Sequence, residues 1–158
     1  MSRTARVVIA STRAAAGTYQ DRCGPIIGDW LTARGFAVPG AAVVADGEPV
    51  AQALRSALGD GVDVVITSGG TGISPTDTTP QATEAVLDYQ IPGLAEAIRR
   101  SGLPRVPTAV LSRGVCGVAG GTLVINLPGS TGGVRDGLAV LGEVLDHALD
   151  QLAGGDHG

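Results

Sequence analysis

The chain has 158 residues, with 25 glycines, one tryptophan, one phenylalanine, two tyrosines and a net charge of -4. All eleven basic residues are arginine, the two histidines (His147, His157) lie near the C-terminal end, and the two cysteines (Cys23, Cys116) are far apart. A Schiff-base or P-loop lysine, a zinc site built on several histidines and a four-cysteine metal knuckle are therefore excluded, and the acidic balance leaves no electrostatic footprint for nucleic acid.

In chain order, Arg6 to Ser11 reads as the first strand, a β-branched run bounded by polar residues. Its apolar part is too short for an export leader. The longest uncharged run, Gly114 to Val134, carries Asn126, Pro128 and many glycines, so it is a poor membrane span. With the separated cysteines this makes a reducing cytoplasm the expected compartment. Cys23, Ile26, Ile27, Trp30, Leu31 and Arg34 recur at helical spacing, and Gly35 sits where a C-terminal cap belongs. Val38 to Ala45 reads as a strand, and Val50, Ala51, Leu54 and Leu58 as a shorter helix after Pro49. Val62 to Thr67 is the next strand, and a helix begins at Thr79-Pro80 and runs to about Asp88. Thr108 to Leu111 and Thr122 to Leu127 read as a hairpin joined by the glycine-rich Gly114 to Gly121. A last helix covers Val134 to Leu152, its leucines stepping by four and three. This alternation predicts one α/β domain over residues 1–153, with a mostly parallel, mixed sheet between helices and a flexible tail at 154–158.

Open sheets of this kind bind ligands beyond the carboxyl ends of their strands. Three segments fall there. Thr67-Ser68-Gly69-Gly70-Thr71-Gly72 lets backbone N–H groups converge on an anion, with Ser68 and Thr71 adding hydroxyls; a tight strand-to-helix turn is the alternative. Asp77 and Asp46 each precede a predicted helix start, where a capping role is the simpler explanation for either alone. Neighbouring parallel strands would bring both to one sheet edge beside the glycine turn, where two carboxylates together with phosphate oxygens suit magnesium. Asn126-Leu127-Pro128-Gly129-Ser130 leads into the last helix, whose N-terminus favours phosphate, and Ser112-Arg113 offers a possible phosphate clamp. Cys116 reads as a packed residue, and Tyr19, Asp21 and Glu96 as cap or surface residues.

These segments, in order, resemble the MogA/MoaB family of molybdenum cofactor biosynthesis proteins. The resemblance rests on Val65-Ile66-Thr67-Ser68-Gly69-Gly70-Thr71-Gly72, Asp77-Thr78-Thr79-Pro80-Gln81-Ala82, Ile91-Pro92-Gly93, Leu111-Ser112-Arg113-Gly114 and Val124-Ile125-Asn126-Leu127-Pro128-Gly129, with Ser11-Thr12-Arg13 and Gly17 to Asp21 near the start. It implies a three-layer α/β/α sandwich of the molybdopterin-binding type, usually a homotrimer. The activity it implies is adenylylation of molybdopterin by Mg-ATP with release of pyrophosphate; a non-catalytic pterin-binding or scaffold role of the MoaB type is the alternative. Carried onto this chain, Asp77 and Asp46 would serve catalysis and magnesium, and Ser112 would lie beside the adenylylated product. Ser11, Ser68, Gly69, Gly70, Thr71, Gly72, Arg113, Asn126, Pro128, Gly129 and Ser130 would line the nucleotide and pterin site. Other molybdenum cofactor biosynthesis proteins are the expected protein partners. Thr76 stands where many members have arginine, which leaves Arg13 or Arg113 to supply that phosphate contact.

Overall fold

Unbroken burial along the central strands decides the architecture. In the computed structural model, which describes residues 2–155, one six-stranded sheet has the order β2-β1-β3-β6-β5-β4. Its strands are β1 (Ala5–Ala10), β2 (Ala42–Val44), β3 (Val64–Ser68), β4 (Tyr89–Gln90), β5 (Cys116–Ala119) and β6 (Thr122–Leu127). β2, β1, β3 and β6 run parallel, whereas β5 is antiparallel to both β6 and β4. Val64 and Ile66 of β3, with Leu123, Ile125 and Leu127 of β6, point to one face; Val65 and Val124 point to the other. That period of two leaves both faces apolar, so each needs a covering layer.

On the first face lie α2 (Cys23–Ala33), α5 (Pro92–Arg100), α6 (Thr131–Gly142) and α7 (Leu145–Leu152), which contribute Ile27, Leu31, Ile98, Val134, Leu138, Leu141, Leu145 and Leu149 to the larger core. The second face is covered by α3 (Glu48–Gly59) and α4 (Thr79–Glu84), through Val50, Leu54 and Ala57 and the partly buried Ala82. α1 (Thr12–Ala15) is a single turn after β1. The result is the expected α/β/α sandwich with a mixed, mostly parallel sheet. As expected, α2 closes at Gly35, whose N–H donates to Thr32 O while that of Phe36 reaches back to Leu31 O.

Several expected elements differ. Thr108 to Leu111 is not a strand: Pro107–Leu111 is a 3-10 helix, and Val110 and Leu111 stand 57% and 47% exposed with no strand beside them. The hairpin exists, but β5 is its first arm, inside the segment expected to be a connection. Gly117 makes this possible, because a Cβ there would overlap the Tyr89 carbonyl oxygen of β4. The last helix is two helices, broken at Glu143 and Val144, where i to i+3 hydrogen bonds tighten the turn and redirect Leu145 and Leu149 into the core. The second strand is shorter than Val38 to Ala45, the helix at Thr79 ends at Glu84, and α5 was not foreseen. Gly154 and Gly155 cap α7, donating to Gln151 O and Asp150 O. Residues 156–158, the rest of the expected tail, lie outside the described residues.

Candidate active site

The chain runs from β1 to β2 on one side and then crosses back to β3 on the other, which opens a crevice above the carboxyl ends of β1 and β3. Gly69 and Gly70 close that crevice from below. Gly69 has φ +92°, and a Cβ there would overlap the carbonyl oxygen of Ala10, so only glycine lets the β3 turn lie against the end of β1. Its N–H donates to Leu127 O, and its Cα lies 3.3 Å from where a Cβ on Gly129 would stand. Three strand ends thus meet backbone to backbone. Ser68, fully buried, donates its hydroxyl to Pro128 O at 2.7 Å and locks the β3 and β6 turns together.

Two cavities open from this floor. The first, about 520 Å³, is lined by Ser11, Thr12, Arg13, Tyr19, Arg22 and Asp46, with Ser68 and Thr131 among its further walls. The second, about 660 Å³, extends past Thr71, Gly72, Arg99, Arg105 and Ser112. Gly70, Asp77, Gly129 and Ser130 border both. Each volume suits a ligand of nucleotide or pterin size. Ser130 caps α6 by accepting from Gly133 N at 3.1 Å, so a twelve-residue helix directs its N-terminal dipole to this rim.

Asp46 and Asp77, expected at one sheet edge, both line the first cavity. Thr12 Oγ1 lies 3.0 Å from Asp46 Oδ2, and a Cβ on Gly70 would stand 3.2 Å from Asp46 Oδ1. Asp77 Oδ2 accepts from Ser74 N at 3.1 Å and lies 2.8 Å from where a Cβ on Gly72 would stand. Among the described residues no cluster of three or more His, Cys, Asp or Glu side chains holds a metal site. Carboxylate oxygens are the hard donors that magnesium takes alongside phosphate and water, and these two residues are the acidic ones that would offer them from the rim around Gly70.

The other expected site residues divide. Ser11 caps α1 through Ala14 N and lines the first cavity, while Thr71 and Ser112 border the second, their hydroxyls 3.5 Å apart. Pro128 also reaches the second cavity. Asn126 borders neither: it is buried, its Nδ2 donates to Thr67 Oγ1 and Thr83 Oγ1, and its Oδ1 accepts from Val115 N. The guanidinium of Arg113 is bound to the carbonyl oxygens of Gly72 and Asp77. Arg13 and Arg22 are the cations on the first cavity, and among the described residues neither pairs with a carboxylate; Arg13 instead stacks over Tyr19 at 5.0 Å. Arg22, Arg99 and Arg105 were missed because nothing in a lone surface arginine marks it as lining a cavity. Asp21 is the expected cap, accepting from Cys23 N and Gly24 N.

Both cysteines are buried and neutral. Burial pushes the Cys116 thiol up to about 12, and burial also raises Cys23, against the opposing hydrogen bond with Ser68. Neither is a nucleophile in this setting.

Residues 6–147 match the family model described as a probable molybdopterin binding domain. A solved structure described as the anomalous substructure of MogA superposes with a TM-score of 0.94 at 71% identity, covering 95% of this chain and 99% of that one. The molybdenum cofactor biosynthesis bifunctional protein of Synechococcus elongatus is 39% identical over 98% of this chain and 49% of its own length. The molybdopterin adenylyltransferase of Haemophilus influenzae is 38% identical over 84% of this chain and 69% of its own length. The chain therefore spans about half of the first of these two curated relatives and about two thirds of the second.

Proposed function

Because the chain belongs to the probable molybdopterin binding domain family, we propose that it is a molybdopterin adenylyltransferase, which joins the adenylyl group of ATP to the terminal phosphate of molybdopterin. A phosphate oxygen of the pterin attacks the α-phosphorus, the bond to the β-phosphate oxygen breaks, and pyrophosphate leaves. The observation that carries this reading is the pair of cavities meeting at Gly70, Asp77, Gly129 and Ser130, since a two-substrate transfer needs two ligands held end to end.

Such a transfer asks little covalent chemistry of the protein. Positioning and charge neutralisation supply most of the rate. Arg13 and Arg22 meet phosphate charge on the first cavity, and the α6 N-terminus adds its dipole where the cavities join. Ser112 and Thr71 present hydroxyls on the second cavity. Asp46 and Asp77 would hold magnesium, which when bound offsets the charge of the nucleotide phosphates. Arg113 acts by holding the segment that carries Asp77.

A homotrimer, a cytoplasmic location, one domain over residues 1–153 and association with other molybdenum cofactor biosynthesis proteins complete the proposal; light scattering, fractionation and co-purification test its parts. Among the described residues no helix is long and apolar enough to cross a membrane. The central test is incubation with molybdopterin, ATP and magnesium, followed by assay of pyrophosphate and adenylylated pterin. Both products in equal amounts are expected. Tight pterin binding with neither product would replace the enzyme by a binding module.

A further inference from the structure

Among the described residues one buried side-chain polar atom has no hydrogen-bond partner, Thr79 Oγ1. The hydroxyls around it are all engaged: Thr83 Oγ1 donates to Thr79 O, Thr67 Oγ1 accepts from Asn126, and Ser68 donates to Pro128 O. Thr79 is also pinned in place, because it is wholly buried and its backbone N–H donates to Gly70 O at 3.1 Å. An unpartnered hydroxyl held this firmly, amid a network that satisfies its neighbours, calls for a partner that arrives.

Gly70 shows where that partner lies. A Cβ on Gly70 would overlap Thr79 Oγ1 and would stand 3.2 Å from Asp46 Oδ1. The hydroxyl and the carboxylate oxygen therefore both border the space that a methyl group on Gly70 would fill. The other oxygen of Asp46, Oδ2, is already held by Thr12 at 3.0 Å. The Asp46 carboxylate is half-buried on an open cavity and held through Oδ2 alone, whereas Thr79 is fixed in the packed start of α4.

We propose that Thr79 is a positioning residue for Asp46: when nucleotide and magnesium load the first cavity, Asp46 turns over Gly70 and accepts a hydrogen bond from Thr79 Oγ1. The carboxylate is then held between two threonine hydroxyls, Thr12 on Oδ2 and Thr79 on Oδ1, in one orientation toward the phosphates. Gly70 keeps the path between them clear. This inference rests on the reading of Asp46 as part of the magnesium and nucleotide site.

The test measures Mg-ATP affinity by calorimetry, with thermal melting alongside, for wild type, Thr79→Val, Thr79→Ser, Asp46→Ala and the double variant Asp46→Ala/Thr79→Val. Thr79→Val keeps the shape and deletes a hydroxyl that bonds to nothing in the free protein, so its melting temperature should match or exceed that of wild type. Its Mg-ATP affinity should fall roughly tenfold, the worth of one hydrogen bond to a charged group. Thr79→Ser should restore wild-type affinity, and Thr79→Val should cost nothing further once Asp46 is Ala and no acceptor is left for the hydroxyl. Unchanged affinity in Thr79→Val, an equal loss in the Asp46→Ala background, or a loss that tracks a lowered melting temperature would each overturn the proposal while wild type still binds Mg-ATP. No Mg-ATP binding by wild type would instead remove the nucleotide reading, and this inference with it.

Discussion

Arg113 grips the segment that carries Asp77. Its Nε donates to Gly72 O at 2.8 Å, its Nη2 donates to the carbonyl oxygen of Asp77 itself at 2.7 Å, and its own amide donates to Thr71 O at 2.7 Å. The planar guanidinium serves both carbonyls at once, which a lysine ammonium on a flexible stem does not do in the same geometry. Arg113→Lys should therefore lower turnover by up to about 100-fold through misplacement of Asp77. Steady-state pyrophosphate release and amide hydrogen exchange across 72–77 check this; wild-type turnover with faster exchange would show that the grip has no part in the chemistry.

Asp77→Asn isolates the charge of the carboxylate from its shape. An asparagine oxygen still accepts from Ser74 N, so the loop keeps its turn and the melting temperature should change little. Turnover should fall by about 100- to 1000-fold, the usual loss when one electrostatic element of a polar transition state is removed. Retained turnover would take Asp77 out of the mechanism.

For Asn126 the expectation is the reverse. Its amide joins β6 to β3 through Thr67, to α4 through Thr83 and to the start of β5 through Val115. Asn126→Ala should cost about 3 kcal/mol of folding stability in urea titration, because buried partners lose their bonds. Mg-ATP affinity of the folded fraction should stay within about twofold of wild type, well below the effect of losing one hydrogen bond to a charged ligand. A large affinity loss at unchanged stability would return Asn126 to the substrate site.

Cys116 predicts an alkaline limit to stability. Its thiol is pushed from 9.0 to about 12 in the fold, chiefly by burial. The unfolded chain therefore releases this proton first. The stabilising contribution is complete below about pH 9 and declines by about 1.4 kcal/mol per unit between pH 9 and pH 12. Urea titrations at pH 8 and pH 10 should show that decline in wild type, and Cys116→Ala should reduce it. An identical slope in the variant would assign the alkaline loss to other groups.

The parallel half of the molecule was legible because its signals are local. β1, β3 and β6 are apolar runs ending in polar or glycine turns, and Asp46 and Asp77 follow the carboxyl ends of β2 and β3, parallel strands of one sheet. The other half was obscured by context. Thr108 to Leu111 has β-branched residues, yet Pro107 starts a 3-10 turn and no neighbouring strand is there to pair with it. Cys116–Ala119 is buried as a strand although its glycines resemble a loop, because Gly117 packs under β4. α5 is short and begins at a proline; Ile98 alone among its residues is fully buried, with Leu94 and Ala95 packed partly against the core. The roles of Asn126 and Arg113 depend on partners far along the chain, Thr67 and Gly72, which spacing does not reveal.

The wall between the two cavities consists of Gly70, Asp77, Gly129 and Ser130, each touching both spaces. A ligand on one side therefore forms part of the container for the other. Thermodynamic reciprocity then applies: whatever factor ATP adds to the affinity for pterin, pterin must add to the affinity for ATP. Titrating each ligand with and without the other gives that factor from two directions, and it should exceed one because a wall stiffened from one side costs less to order from the other.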